Sequence, residues 1–322
     1  MERQARLYVG DAIETLGALP AESAQMCVTS PPYWGLRDYG VQGQLGLEAT
    51  PEEYVSSVID VCREVRRVLK EDGTLWLNLG DTYSRDAGSD RDTGDSDAIS
   101  NKQQKRQARP DRRNKPPSGL KPKDLVGIPW RVALALQDDG WYLRSDIIWH
   151  KPNPMPESVT DRPTTSHEHI FLLSKSKHYY YDADAVSEPA DKGHAGSRFD
   201  TGKTGGHMKG RSQNGERDED GTRNKRDVWT VSTKPYPEAH FAVYPPDLIE
   251  PCILAGSAEG DTVLDPFAGA GTTGLVALAK GRDFTGIDLN REYVEMAAER
   301  IRKDAPLCNR VRVEGDAVRA AP

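Results

Sequence analysis

Thr262-Val263-Leu264-Asp265-Pro266-Phe267-Ala268-Gly269-Ala270-Gly271-Thr272-Thr273 reads as a strand, a tight glycine turn and a helix beginning near Thr272. Gly269 and Gly271 allow a ligand to approach the backbone, and the helix start offers N–H groups without intrahelical partners. Roughly 20 residues later, Phe284-Thr285-Gly286-Ile287-Asp288 forms a second strand that ends in an acid. This is the plan of a nucleoside-binding βαβ unit, with Asp288 accepting from ribose hydroxyls. There is no Gly-Lys-Ser/Thr, which disfavours a phosphate-gripping loop. Asp265 precedes the glycines, where it would repel a pyrophosphate but suit the ammonium of an amino acid. S-adenosylmethionine carries an amino-acid end and a ribose and no phosphate, and that decides the expected cofactor.

A second stretch, Thr29-Ser30-Pro31-Pro32-Tyr33-Trp34, follows the apolar run Met26-Cys27-Val28. Two prolines remove two backbone donors, fix φ near −65° and hold the residues before them extended. On its own a Pro-Pro pair after a strand is an ordinary turn. With a hydroxyl, bare carbonyls and two large rings, it also suits gripping a planar amine-bearing group.

With 322 residues, 36% hydrophobic and 29% charged, the chain is long enough to bury a substantial core. No apolar run reaches the 18 or so residues of a membrane span, and no signal core follows Met1. Cys27, Cys62, Cys252 and Cys308 lack metal-ligand spacing. The expectation is a cytoplasmic protein with reduced core thiols, no metal and no membrane contact. The net charge of −7 gives no global attraction to nucleic acid, so any such contact rests on local patches.

Along the chain, strands are expected at 6–9, before 29, at 74–79, 142–149, 169–173, 262–265 and 284–288. Helices are expected at 12–18, 51–70 (Thr50 as N-cap, Pro51 in the first turn, Asp72-Gly73 as terminator), 129–138, 246–255 and from 272. The alternation of strand and helix argues for a parallel sheet. Two polar insertions interrupt it. Residues 84–98 hold five aspartates, residues 101–123 hold nine Lys/Arg against Asp111, and eight Lys/Arg fall within 198–226. The expected division is 1–83 and 124–186 for the amine-gripping half, 84–123 for a polar, basic loop, 187–239 for an insertion, and 240–322 for the cofactor half.

At these residues the chain resembles the amino-methyltransferases of DNA, which methylate the exocyclic amine of cytosine or adenine. Thr29–Trp34 resembles their catalytic motif and Asp265–Gly271 their cofactor motif, in the order of the permuted beta group. The resemblance spans about 6–83, 124–182 and 226–301. It implies a Rossmann-like α/β fold, a mostly parallel seven-stranded sheet with circularly permuted motif order, and target-recognition insertions, of which 187–226 is one. By position it implies Ser30, Pro31, Pro32 and Tyr33 as catalytic residues. Asp11, Phe241, Pro245, Asp265, Pro266, Phe267, Gly269, Gly271, Thr272 and Asp288 would contact S-adenosylmethionine, Asp11 at the adenine. Asp316, in an echo of Gly10-Asp11-Ala12, competes with Asp11 for that contact; residues 312–317 are read as a chance echo or an extra edge strand. Arg162, His167 and Glu168 lie in a stretch resembling one near the target-base pocket.

The implied substrate is double-stranded DNA with its target base flipped out, stacked on Tyr33 with help from Trp34, for which core packing is the competing reading. Lys102, Lys105, Arg106, Arg109, Arg112, Arg113 and Lys115 are expected on phosphates. Serine in the first motif position leans toward cytosine N4, with adenine N6 as the alternative. A non-catalytic DNA-binding or cofactor-sensing homologue is the reading from another class, and intact Ser30, Tyr33, Asp265 and Asp288 speak against it. A homodimer and a cognate restriction endonuclease are compatible partners.

Overall fold

The computed structural model describes residues 3–84, 120–189, 222–234, 243–305 and 309–315. The elements, in order, are β1 (Arg3–Val9), α1 (Ala12–Ala18), β2 (Ala24–Thr29), α2 (Pro51–Val68), β3 (Leu69–Leu79), α3 (Ile128–Asp138), β4 (Tyr142–His150), β5 (His167–Ser174), β6 (Glu188–Pro189), β7 (Thr222–Arg223), β8 (Val228–Thr230), α4 (Pro246–Gly256), β9 (Thr262–Asp265), α5 (Thr272–Ala279), β10 (Asp283–Asp288), α6 (Arg291–Asp304) and β11 (Asn309–Gly315). A nine-stranded sheet runs β11-β1-β10-β9-β2-β3-β5-β4-β8, and β6 pairs with β7 separately. Seven of the nine strands make the expected sheet, and β11 and β8 extend it at either edge. Only β5 runs antiparallel to its neighbours, β3 and β4.

Helices cover both faces, which is why most strands read as unbroken apolar runs. Side chains alternate between the two faces. Met26, Val28, Ile170 and Leu172 join the core under α4, α5 and α6. Cys27, Leu264, Phe171 and Leu173 join the core under α1, α2 and α3. Cys27, Cys62 and Cys252 are buried and unpaired; Cys308 lies outside the described residues. Among the described residues, no helix is long and apolar enough to cross a membrane.

Helix α2 carries the expected cap. Thr50 Oγ1 accepts from Glu53 N at 3.2 Å and the Glu53 carboxylate accepts from Thr50 N at 3.3 Å, a reciprocal capping box. Its end differs from the expectation. The helix stops at Val68, and Leu69 turns extended (φ −70°, ψ 141°) to begin β3, so Asp72-Gly73 falls inside the strand. Leu69 is fully buried and pairs with Ala24, and that pairing overrides the helical spacing. Residues 312–315 of the echo fall on β11, an edge strand parallel to β1, and residues 316–317 lie outside the described residues.

The glycine turn also departs from its expected rationale at one position. Gly271 is the N-cap of α5 at φ 74°, and a Cβ there would lie 2.7 Å from the Cβ of Ala297 on α6. Its bareness serves helix packing. Gly271→Ala combines left-handed strain with that clash, so the expected loss is on the order of 1–3 kcal/mol of unfolding free energy, read by urea denaturation.

Candidate active site

A cavity of about 1090 Å³ is lined by residues at the C-terminal ends of β1, β2, β3, β9 and β10. The sheet order reverses between β9 and β2: β10 follows β9 on one side, and β3 follows β2 on the other. Open α/β sheets place their ligand crevices at such switch points.

On one side of the cavity, Val9 of β1 pairs with Asp288 of β10, and Gly10 N donates to Asp288 O at 3.0 Å. Asp11 and Asp288 therefore stand at adjacent strand ends. The Asp11 carboxylate caps α1 by accepting from Ile13 N (2.8 Å) and Glu14 N (3.0 Å) and lines the cavity. Asp316 lies outside the described residues. The Asp288 carboxylate accepts from Gly269 N and Asn290 N, both at 2.8 Å. Burial pushes its carboxyl up to about 6, against those two hydrogen bonds. Pro266, Phe267, Gly269 and Thr272 also line the cavity.

Asp265 departs from its expected place. It is 0% exposed and lies behind the wall. One carboxylate oxygen accepts from Thr29 Oγ1 (2.7 Å) and Phe267 N (3.0 Å), the other from Thr273 Oγ1 (2.5 Å) and Tyr244 Oη (3.1 Å). Burial raises its carboxyl above the ordinary aspartate range, and the four donors oppose that rise. With both oxygens so engaged, Asp265 organises the loop instead of facing a ligand's ammonium. Pro245 is the buried N-cap of α4, and Phe241 lies outside the described residues.

On the other side, Ser30, Pro31, Pro32 and Tyr33 all line the cavity. The Ser30 hydroxyl donates to Tyr33 Oη at 3.3 Å, and Tyr33 Oη donates to Glu168 Oε2 at 2.8 Å. Asn78, 5% exposed, donates through Nδ2 to Tyr33 Oη (2.5 Å) and Glu168 Oε2 (2.9 Å), with Ser30 Oγ at 3.4 Å. Sheet register assembles this cluster. Leu79 pairs with His169 across β3 and β5, and Trp149 with Glu168 across β4 and β5, which brings Lys151 Nζ into an ion pair with Glu168 Oε1. Burial, then the Glu168 charge, pushes the Tyr33 phenol well above its ordinary range, so it remains a donor. Gly80 makes room for this ring: a Cβ there would lie 2.6 Å from Tyr33 Cε2.

Trp34 is a correction. It is 6% exposed, sits in the core under α1–α3 and donates through Nε1 to Glu48 O at 3.1 Å, with no part in the cavity wall. His167 and Glu168 line the cavity. Arg162 instead stacks over the Tyr83 ring at 3.8 Å and pairs with Glu157 at 2.7 Å. Lys102, Lys105, Arg106, Arg109, Arg112, Arg113 and Lys115 lie outside the described residues. Asn78, Lys151 and Tyr244 were not anticipated. The signal for Asn78 is a lone amide inside the apolar run 74–79; Lys151 only opens a Pro-rich turn, and Tyr244 only precedes Pro245-Pro246.

The N6/N4 methyltransferase model, described as DNA methylase, matches residues 24–299. The chain is 49% identical over 299 residues to the type II methyltransferase M.XycI of Xanthomonas campestris pv. cyanopsidis, covering 93% of this chain and 88% of the relative. It is equally 49% identical to M.SmaI of Serratia marcescens, covering 93% and 91%. Among solved structures, a Thermus thermophilus protein in complex with S-adenosyl-L-methionine matches with a TM-score of 0.57 and 26% identity over 96% of this chain and 99% of that one. PvuII DNA methyltransferase (cytosine-N4-specific) shares the fold, with a TM-score of 0.61 and 20% identity over 93% and 88%. From its β2 strand to its α6 helix, this chain belongs to the DNA methylase family of N6/N4 methyltransferases.

Proposed function

We propose that the protein methylates the exocyclic N4 amine of a cytosine flipped out of duplex DNA, as the modification enzyme of a type II restriction–modification pair. The observation that carries this is the orientation of Ser30. Its hydroxyl hydrogen is donated toward Tyr33 and Asn78 Nδ2 donates to it at 3.4 Å, which leaves one lone pair for a substrate N–H. The family, and M.XycI and M.SmaI as type II methyltransferases, support the substrate and the setting. The cytosine-N4 specificity of PvuII methyltransferase, with which the chain shares a fold, agrees with the serine.

The cofactor is S-adenosylmethionine, which supplies an electrophilic methyl on a sulfonium when bound. The cavity fits it: Gly269 presents bare backbone, with nothing nearer than 4.0 Å to an added Cβ, and Asp288 offers the ribose a carboxylate held by two backbone donors. Asp11, Phe267 and Thr272 complete that half of the wall.

The base amine is a poor nucleophile because its lone pair is conjugated with the ring. Ser30 Oγ and the Pro31 carbonyl accept its two hydrogens and favour a more tetrahedral nitrogen. The hydrogen-bond chain from Ser30 through Tyr33 to the Glu168 carboxylate increases the electron density on Ser30 Oγ. The Tyr33 ring stacks on the base and returns about 1–3 kcal/mol of the flipping cost. Holding two reactants in one cavity supplies a large share of the acceleration.

Mass spectrometry of digested, methylated DNA should yield N4-methylcytosine; N6-methyladenine as sole product would reject the base assignment. Ser30→Ala should lower kcat by about 10²-fold, the usual loss for one removed transition-state contact, with cofactor affinity unchanged in calorimetry.

Asp288 accepts best as a carboxylate, and its carboxyl titrates near 6. Ribose binding favours the ionised form, so affinity is full above that value and declines as the pH falls through it. Calorimetry between pH 7.5 and 5 should show this decline, and Asp288→Asn should be weaker at every pH and flat across the range.

We further assign the basic run 102–115 to DNA phosphates. Reversing four of Lys102, Lys105, Arg106, Arg109, Arg112, Arg113 and Lys115 should weaken binding and reduce the slope of log affinity against log salt by about 3 to 4. An unchanged slope would place these residues off the DNA.

A further inference from the structure

The wall of the amine-gripping side ends in a cation that the reaction as derived above does not use. The Lys151 side chain is 18% exposed and that of its partner Glu168 16%. Its Nζ pairs with Glu168 Oε1 and lies 4.2 Å from the centroid of the Trp149 ring, which adds a cation–π attraction. Lys151, Glu168 and Trp149 all line the same cavity as Ser30 and Tyr33. Holding a lysine this far out of water is costly, and Glu168 offsets the cost through Oε1 while its Oε2 takes Tyr33 and Asn78. An ammonium has three N–H donors; the ion pair uses one.

Ordered by hydrogen bond, the wall runs from an acceptor, Ser30 Oγ, through Tyr33, Asn78 and Glu168 to a charged donor, Lys151 Nζ. The Watson–Crick edge of cytosine has the reverse order: an amine donor at N4, then two acceptors, N3 and O2. Adenine has the amine and one ring acceptor, N1, followed by a C–H. A charged donor at the far end of the wall therefore finds a partner only on cytosine. Facing adenine, Lys151 would be desolvated without a new partner, and unpaired buried groups are a strong source of discrimination.

We infer that Lys151 is a specificity-determining residue that donates to the O2 of the flipped cytosine, with Glu168 as the residue that positions it. This rests on the cytosine reading above. A purely structural role, in which Lys151 only neutralises Glu168, leaves the same ion pair but predicts no dependence on the chemistry of O2.

The test is a cycle of two enzymes and two substrates. Wild type and Lys151→Met are each assayed for kcat/KM on a duplex carrying cytosine, or 2-thiocytosine, at the target position; sulfur is the weaker acceptor. The wild type should lose about tenfold on the thio substrate, and Lys151→Met about 10- to 100-fold on cytosine, the range for a charge-assisted hydrogen bond. Lys151→Met should then lose nothing further on the thio substrate. Its cofactor affinity should match the wild type, while its melting temperature falls because Glu168 loses its cation; if it does not fold, Lys151→Gln, a neutral donor, should give an intermediate loss and intermediate sensitivity. Wild type indifferent to sulfur, full activity in the variant, or a variant as sulfur-sensitive as wild type each overturns the role of Lys151 while N4-methylcytosine remains the product. N6-methyladenine as the wild-type product instead overturns the cytosine reading itself.

Discussion

The buried carboxylate of Asp265 is the constraint on which the two halves of the site depend. It stands at the end of β9 and takes hydrogen bonds from the end of β2, from the first turn of α5 and from Tyr244, just ahead of α4. Each of these segments leads directly into the cavity wall: Thr29 into Ser30, Thr273 from Thr272, Tyr244 beside Val243. An ionised group in an interior is tolerable only when its lone pairs are occupied. Asp265 therefore holds its donors in place as firmly as they hold it, and the loop that grips the amine is set relative to the loop that meets the cofactor through one side chain.

The other half of the wall is set by sheet register. Asn78 on β3, Glu168 on β5 and Lys151, one residue beyond β4, meet because β5 lies antiparallel between β3 and β4. The hydrogen bonds of Asn78 and Glu168 converge on Tyr33, whose ring has space only because residue 80 lacks a side chain. Positional accuracy here comes from strands, which are stiffer platforms than loops.

Much of this was legible in the chain itself. The strand–turn–helix at 262–273, the Pro-Pro loop, Ser30, Tyr33 and Asp288 all follow from local pattern. The misreadings have a common cause. Asp265, Gly271 and Trp34 are the right residue types in the right motifs, but whether a motif residue faces the ligand or the interior depends on what packs behind it. Ala297, Thr29 and Glu48 supply those contacts from other elements, each outside the motif of the residue it meets. The end of α2 was misplaced for the same reason: Leu69 continues the helical spacing, and only its pairing with Ala24 makes it a strand. The roles of Asn78 and Lys151 have no local signature, because they arise from cross-strand register.

The sheet order also bears on how the molecule comes to be folded. Residues 3–9 find both of their strand partners only at 283–288 and 309–315, and β2 finds one of its two at 262–265. Such pairings close very long loops, and domains dominated by them fold slowly. During synthesis, at about 5–20 residues per second, β1 leaves the ribosome well before either neighbour exists. For that interval both edges of β1 lack their strand partners, and Ala5, Leu7 and Val9 await the later helices that complete their core, so the nascent chain carries an unpaired apolar strand until its last elements emerge.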